Sequence, residues 1–223
     1  MKNFRHIILS LTLIYSIAFS SKIAVATKVK GQVEIMTAEK KGFADLKPGT
    51  ILSDGDKIRT GSPGFTAIIF IDDKSTLKVK DNSEVVITGK RTAASISKKI
   101  NMDEGTIRAT VNKQNTDFVI QTPTSVASVK GTDFWLVSDP ETGDQIIGIE
   151  GIVGLTNSET GQEIDVTEGM SGLSTPNGNV GLIETDPSTI PEDPSDDIEG
   201  PSQVKIYLEG PNGEQKVMII EYQ

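Results

Sequence analysis

Carboxylates are the side chains with which this sequence could most readily do chemistry. The 223 residues include 31 acidic side chains, one histidine and no cysteine. Two carboxylates on either side of a glycosidic bond can hydrolyse it. The one histidine, His6, lies within the first 20 residues. If a targeting signal is removed there, the mature chain has neither histidine nor cysteine. Ser–His catalysis, a cysteine nucleophile and imidazole or thiolate metal sites are then excluded.

Several of the acids stand directly before a glycine that opens a strand-like segment. The pairs are Asp54-Gly55, Glu104-Gly105, Glu150-Gly151 and Glu168-Gly169. Glycine supplies the positive φ that turns a chain into its next strand. These carboxylates are therefore interpreted as neighbours of turn glycines. The acidic run "EDPSDD" lacks the spaced acids and glycine of a calcium loop, so we predict no catalytic residue, no metal site and no cofactor.

Alternating apolar residues predict the elements that would position any site. Segments such as "TLKVK" (Thr76–Lys80) and "TIRATV" (Thr106–Val111) place apolar side chains on one face only. "FTAIIFI" (Phe65–Ile71) and "FWLV" (Phe134–Val137) are apolar on both faces, which is typical of central strands. Turn signals recur at short intervals between them. The sequence therefore predicts an all-β fold, an antiparallel β-sandwich of jelly-roll-like type.

The N-terminal residues read as a targeting signal. Lys2 and Arg5 precede a run of about 14 largely apolar residues, Ile7–Ser20, which is short of a membrane span. Cleavage after Ser20 and cleavage after Ala26 both fit the small-x-small rule, and we prefer Ser20 because the other cut would sever a predicted strand. An uncleaved anchor is the alternative. We expect export to the periplasm or beyond, with no stable membrane span.

The overall charge argues against nucleic acid as a partner. The net charge is −9, and cleavage after Ser20 would leave 20 basic and 31 acidic residues, or −11. Phosphate binding needs a surplus of Lys and Arg on some face, and no basic cluster is evident. Without cysteine the exported chain has no disulfides, so its core must stabilise it unaided.

The composition changes after Ile183. Residues 184–203 are rich in proline and acids and poor in large apolar side chains, which predicts an extended acidic linker. Two alternating runs follow around Asn212-Gly213, a hairpin signal. The predicted organisation is thus a signal peptide (1–20), a β domain (21–183), a linker (184–203) and a C-terminal β-hairpin (204–223). A lone hairpin is marginal in water, so we expect it to dock, on its own domain or on another protein.

The order of the segments resembles the FecR family, named for a periplasmic regulator of iron–citrate uptake. From about Ala24 to Gly172 the matching pieces are "VKGQVEI", "LKPGTILSDGDKIRTGSPGFTAIIFI", "STLKVKDNSEVVI", "MDEGTIRATV", "FVIQTPTSVASVKGTDFWLV", "IEGIVGLTN" and "VTEGMSG". The family usually has Gly where Lys74 stands and Arg where Lys130 stands. Family regulators also carry a cytoplasmic anti-sigma segment before the domain, and here six residues precede the apolar run. The resemblance therefore implies the domain and its compartment, without direct contact to a sigma factor.

The same resemblance implies a strand, a turn at Gly131 and a second strand for the segment around Trp135. Phe134 and Leu136 would fill the core, and Trp135 would point to the other face. There it would pack under a neighbouring element or contact a sugar or a protein.

We expect a non-enzymatic protein-binding or signalling module of the bacterial cell envelope, which could contact a partner by strand addition at a sheet edge. The candidate partner contacts are Trp135, Tyr207 and Tyr222. The alternative is a structural or adhesive component that binds polysaccharide or itself.

Overall fold

The computed structural model describes residues 21–92, 95–113, 116–194, 203–209 and 214–221. Its strands are β1 (Lys22–Met36), β2 (Ala44–Asp45), β3 (Ile51–Ser53), β4 (Asp56–Phe70), β5 (Thr76–Val79), β6 (Ser83–Arg91), β7 (Ile96–Val111), β8 (Phe118–Gln121), β9 (Ser125–Val129), β10 (Thr132–Asp139), β11 (Gly143–Glu150), β12 (Ile152–Asn157), β13 (Glu163–Thr167), β14 (Met170–Ser174), β15 (Val180–Glu184), β16 (Gln203–Glu209) and β17 (Gln215–Glu221). The described residues contain no α-helix, and a turn of 3-10 helix spans Pro187–Thr189. The predicted all-β fold is confirmed.

One continuous sheet connects β1 to β15. Its main path runs β13-β12-β9-β8-β7-β10-β11-β14-β15, with β1 to β6 attached as a branch. Strand β7 joins the two parts, because β6 and β8 pair with its first half while β5 and β10 pair with its second half. The β7–β8 pair is parallel, and the other described pairs are antiparallel.

A single apolar core lies on one face of this sheet. It unites buried residues from distant strands, including Ile23 of β1, Phe118 of β8 and Val166 of β13. A flat sheet could not bring these strands to one cluster, so the sheet folds over and packs its inner faces together, as in a sandwich. Phe134 and Leu136 belong to this core, as predicted, and Trp135 lies on the opposite face. We call the core side the inner face and the opposite side the outer face.

The predicted turn glycines adopt the expected backbone conformation. Gly55, Gly105, Gly151 and Gly169 have φ angles of +85°, +121°, +82° and +75°. At Gly105 a Cβ atom would also lie 2.2 Å from Ser83 Oγ, so no other residue fits there without displacing the neighbouring strand. The acids before Gly55, Gly151 and Gly169 are therefore placed by turn geometry, as the sequence predicted. Gly105 instead lies inside β7, at a register irregularity in the pairing with β6, so the turn predicted there is wrong.

An ion-pair cluster fixes the turn between β4 and β5 to β7. The Lys98 side chain is completely buried, and its Nζ donates to Asp72 Oδ2 at 3.0 Å and to Asp73 Oδ2 at 2.8 Å. The same ammonium lies 5.4 Å from the ring centre of Phe70. Because a buried ammonium needs compensating charge, these two carboxylates secure the end of the core.

The C-terminal strands β16 and β17 form the predicted antiparallel hairpin. In β17, Met218 is partly buried and packs against the main core. Tyr207, Val217 and Ile219 are exposed. The division of the chain into a domain, a linker and a hairpin stays a prediction. The predicted turn at Asn212-Gly213 and the targeting signal in residues 1–20 lie outside the described residues.

Candidate functional site

The pairing register sets a row of side chains across the outer face. Lys78 of β5 is opposite Arg108 of β7, Arg108 is opposite Trp135 of β10, and Trp135 is opposite Ile147 of β11. Directly opposed residues in a sheet project from the same face. Two cationic side chains therefore stand beside the one tryptophan, on the side of the sheet that the core does not use.

Arg108 is the centre of this row. Its Nε and Nη2 donate to the two carboxylate oxygens of Asp133 at 2.9 and 2.8 Å, a bidentate pair. The hydrogen bond to Asp133 raises the pKa of Arg108 above its usual value, against the opposing effect of burial. Only arginine presents this planar fork, so Asp133 fixes the direction in which the remaining guanidinium nitrogen points.

That remaining nitrogen is bound by an acidic segment that follows β15. We call residues 185–194 the strap. Asp193 Oδ2 accepts from Arg108 Nη1 at 2.8 Å and from Lys78 Nζ at 2.6 Å. Lys80 Nζ donates to the carbonyl oxygen of Glu192 at 2.9 Å. The strap therefore crosses the outer face from the β15 edge to β5, and its distal end is held by three cationic side chains.

The strap begins with a capped turn. The Asp186 side chain accepts from the backbone N–H of Ser188 at 2.9 Å and from the Ser188 hydroxyl at 2.8 Å. The backbone hydrogen bond lowers the pKa of Asp186 below its usual value. Pro187 occupies the first helical position, where its missing N–H costs nothing. This turn directs the chain from β15 back over the sheet.

Trp135 is buried between these groups, with 1% of its surface exposed. Arg108 Cζ lies 5.7 Å and Lys80 Nζ 5.8 Å from its ring centre, both within cation–π range. The strap binds both cations through Asp193 and the Glu192 carbonyl. The ring is thus covered by positive side chains that the strap in turn holds in place.

A cavity of about 280 Å³ adjoins the distal end of the strap. Its lining includes Lys30 and Phe65 from the sheet and Pro194 from the strap. The cations at this end of the outer face therefore extend beyond the three that the strap contacts.

The free edge of β15 is a second candidate contact. Thr185 N–H donates to Gly169 and Thr175 N–H to Asn179, each at 2.9 Å. Because antiparallel strands alternate in the direction of their peptide groups, Val180, Leu182 and Glu184 direct theirs away from β14.

The side chains of β15 are mostly apolar and would not deter pairing with another strand. Leu182 and Ile183 are 45% and 50% exposed. At the opposite end of the main path, β13 exposes Glu163 and Asp165, and such charges deter edge-to-edge pairing. Of these two ends, β15 is the one suited to strand addition.

The predicted contact residues fall into different environments. Trp135 is buried beside Arg108 and Lys80, whereas Tyr207 is 61% exposed on the hairpin, as are Val217 and Ile219 at 51% and 50%. Trp135 and Tyr207 therefore do not share a surface, and Tyr222 lies outside the described residues. Sequence reasoning missed Lys78, Lys80, Arg108 and Asp193. In the alternating segments the three basic residues are predicted to face outward, but only the pairing register shows that they lie side by side.

The carboxylates that the described residues bury are engaged in structural contacts. Asp56 accepts from the backbone N–H groups of Ala38 and Ser53. Asp144 accepts from the hydroxyls of Thr122 and Ser125 through Oδ2, while its Oδ1 is buried without a hydrogen-bond partner. Across the described ranges no group of three or more His, Asp or Glu could hold a metal ion. In the same part of the chain, no helix has the length and apolar character needed to cross a membrane.

Comparison with known proteins identifies the class of this domain. The sequence model of the family described as "FecR protein" matches residues 56–154, from the start of β4 into β12. Residues 56–154 therefore match the FecR family, which confirms the predicted resemblance over a narrower range than expected. No curated protein matches the chain.

Two crystal structures, at 1.65 and 2.50 Å resolution, are similar in fold. Both are of a protein described as a "putative anti-sigma factor" from Parabacteroides distasonis. Each is 15% identical to this chain, with a TM-score of 0.48 over 58% of this chain and 60% of that chain. This chain thus matches less than two thirds of the length of that protein.

Proposed function

We propose that this chain is an exported, non-enzymatic FecR-like protein that serves as a protein-binding or signalling module of the bacterial cell envelope. The observation that carries the proposal is the largely apolar edge of β15, which has no strand partner among the described residues and carries one charged side chain, Glu184. A partner strand added there would gain main-chain hydrogen bonds from Leu182 and its neighbours. Leu182 and Ile183 would supply side-chain contacts on the two faces.

The match to the FecR family supports the proposed class of protein. The predicted targeting signal supports the proposed export. The non-enzymatic character is supported by the predicted mature chain, which has neither His nor Cys. It is also supported by the two buried carboxylates, since each accepts hydrogen bonds that fix a turn or a strand end. The expected location is the periplasm or the exterior of the cell.

The test is capture of a partner from native envelope by the mature chain, Ser21–Gln223, beside two variants at one position. Leu182→Pro removes the outward N–H of β15 and leaves the β14 ladder intact, because Leu182 does not bond to β14. Leu182→Thr retains the N–H and the strand propensity. We expect the native chain and Leu182→Thr to capture the same protein and Leu182→Pro to lose it at least tenfold.

The outcomes separate the parts of the proposal. Loss of partner capture in both variants would mean that the partner recognises the side chain of Leu182 rather than its backbone N–H. Equal capture by all three proteins would exclude the β15 edge. Absence of any captured protein, with retention on purified cell-wall glycan, would contradict a protein-binding role. Thermal melts of the three proteins show whether each is folded.

A further inference from the structure

The outer face carries a binding arrangement that the β15 edge does not explain. Lys78 in β5, Lys80 directly after β5 and Arg108 in the neighbouring β7 direct their cationic groups to the adjacent strap residues Glu192 and Asp193. Two of them meet at a single oxygen, Asp193 Oδ2. The arrangement is that of a carboxylate-recognition site, in which Asp133 orients the arginine and the remaining Nη1 of Arg108 binds the ligand carboxylate together with Lys78.

Much of the strap that fills this site is exposed, namely residues 186–190 and 192. Ile190, its one large apolar residue, is 37% exposed. Asp193 forms ion pairs with Lys78 and Arg108, and the side chains of these three residues are 15%, 22% and 25% exposed, respectively. Partly exposed ion pairs contribute little net stability, and salt screens them. The strap is therefore a ligand that can be exchanged rather than a fixed part of the core.

We propose that this outer-face site binds an extended acidic peptide segment of a partner protein, and that the strap occupies it in the free protein as an internal substitute. The strap itself indicates the chemistry of the ligand, which is an Asp or Glu followed by proline in an extended chain. Lys30, exposed to the adjoining cavity beside Phe65, supplies a further cation for a ligand longer than the strap. Binding displaces Asp193 and uncovers Trp135.

Trp135 makes the displacement measurable, because it is the only tryptophan of the chain. Asp193→Asn removes the charge that Lys78 and Arg108 bind. The matched control is Glu192→Gln, which makes the same change of charge at the adjacent residue, where the carbonyl rather than the side chain bonds to Lys80. We expect Asp193→Asn to shift the Trp135 emission to longer wavelength and to raise its quenching by acrylamide at least threefold. Glu192→Gln should leave both unchanged.

The binding test uses a labelled peptide with the sequence of residues 186–194, DPSTIPEDP, and a second peptide with Asn at the position of Asp193. The proteins are full mature chains. The native peptide should bind Asp193→Asn at least tenfold more tightly than it binds the native chain, because the internal strap no longer competes. The Asn peptide should bind at least tenfold more weakly. Lys78→Met, combined with Asp193→Asn, should reduce binding of the native peptide. Methionine removes the charge of Lys78 but keeps an unbranched apolar side chain that packs in the same place.

Each result decides between alternatives. An unchanged Trp135 signal in Asp193→Asn would overturn the exchangeable strap. A changed signal without peptide binding would overturn the recognition site. Binding that is indifferent to the peptide carboxylate would mean that the face holds peptides by apolar contact alone, which also overturns the proposal. Leu182→Pro should leave all of these measurements unaltered, so the failure of this site and the failure of the β15 edge are distinguishable.

Discussion

Lys74 adopts a backbone conformation that lysine disfavours. Its φ angle is +63° in the turn between β4 and β5, at the position where the FecR resemblance leads one to expect glycine. The turn is held by a hydrogen bond from Lys74 N–H to the Phe70 carbonyl at 3.1 Å. A Cβ atom in the left-handed region clashes with the following carbonyl. The departure from the family therefore places strain at one residue while the turn itself is kept.

Replacing this lysine should stabilise the protein. Lys74→Gly relieves the left-handed strain, and the greater freedom of glycine in the unfolded chain offsets part of the gain. We expect the free energy of unfolding to rise by about 1 kcal/mol, as measured by urea denaturation. Lys74→Ala removes the exposed side chain but keeps the Cβ, so it should be nearly neutral. Equal stabilisation by both variants would contradict the role of the backbone.

Residue types alone predicted some positions well. Trp135 was expected on the face opposite Phe134 and Leu136, because neighbours in a strand alternate, and it lies there. What covers it was not predictable, since Arg108 and Lys80 reach it from other strands and Asp193 from a segment expected to be a linker. The contacts of a side chain across strands depend on register, and a single sequence does not give the register.

At the scale of the element, the strap depends on its first turn. The backbone N–H of Ser188 donates to Asp186 and lowers the pKa of that carboxyl. Since the folded-state pKa is depressed, the stabilisation of this turn is fully present above the ordinary Asp value of about 3.9. It is lost as the pH falls through the lower folded-state pKa. The turn should therefore persist at neutral pH and weaken only in acid.

Carboxyl NMR titration can test the cause of this shift. Ser188→Pro removes the donating N–H, so the pKa of Asp186 should return towards its ordinary value in that variant. Asp139 is an internal control, because its pKa is lowered by the backbone N–H groups of Thr142 and Glu141 in the β10–β11 turn. Asp139 should titrate identically in both proteins. An unchanged Asp186 pKa in Ser188→Pro would show that another interaction causes the shift.

At the scale of the whole molecule, the segment that matches the FecR family is smaller than the folded unit. Residues 56–154 begin at β4 and end within β12. They omit β1, whose residues Ile23 and Val25 are fully buried in the common core and pair with β3 and β4. They also omit β13, which contributes Val166 to the same core. The family match thus defines a shared sequence region rather than an independent domain.

We expect a fragment of residues 56–154 to lack a cooperative unfolding transition. In this fragment β4 would lose β1, the strand that pairs along its whole length, and the core would lose the apolar side chains of β1. A fragment of residues 21–194, which retains β1 to β15 and the strap, should unfold cooperatively, as followed by circular dichroism during thermal denaturation. A cooperative transition in the shorter fragment would show that β1 is dispensable for the fold.

The position of β7 has a consequence for how the chain reaches its native state. Adjacent hairpins such as β6–β7, β10–β11 and β14–β15 can form from local segments, whereas β7 meets β10 only after the intervening β8 and β9 have been looped out. Pairing of distant segments requires loop closure, which costs entropy before any contact is gained. Topologies of this kind fold in roughly milliseconds to seconds. A folding chain would therefore expose an unpaired flank of β7 until β10 arrives. We expect the pairing of β7 with β10 to be one of the slow steps of folding.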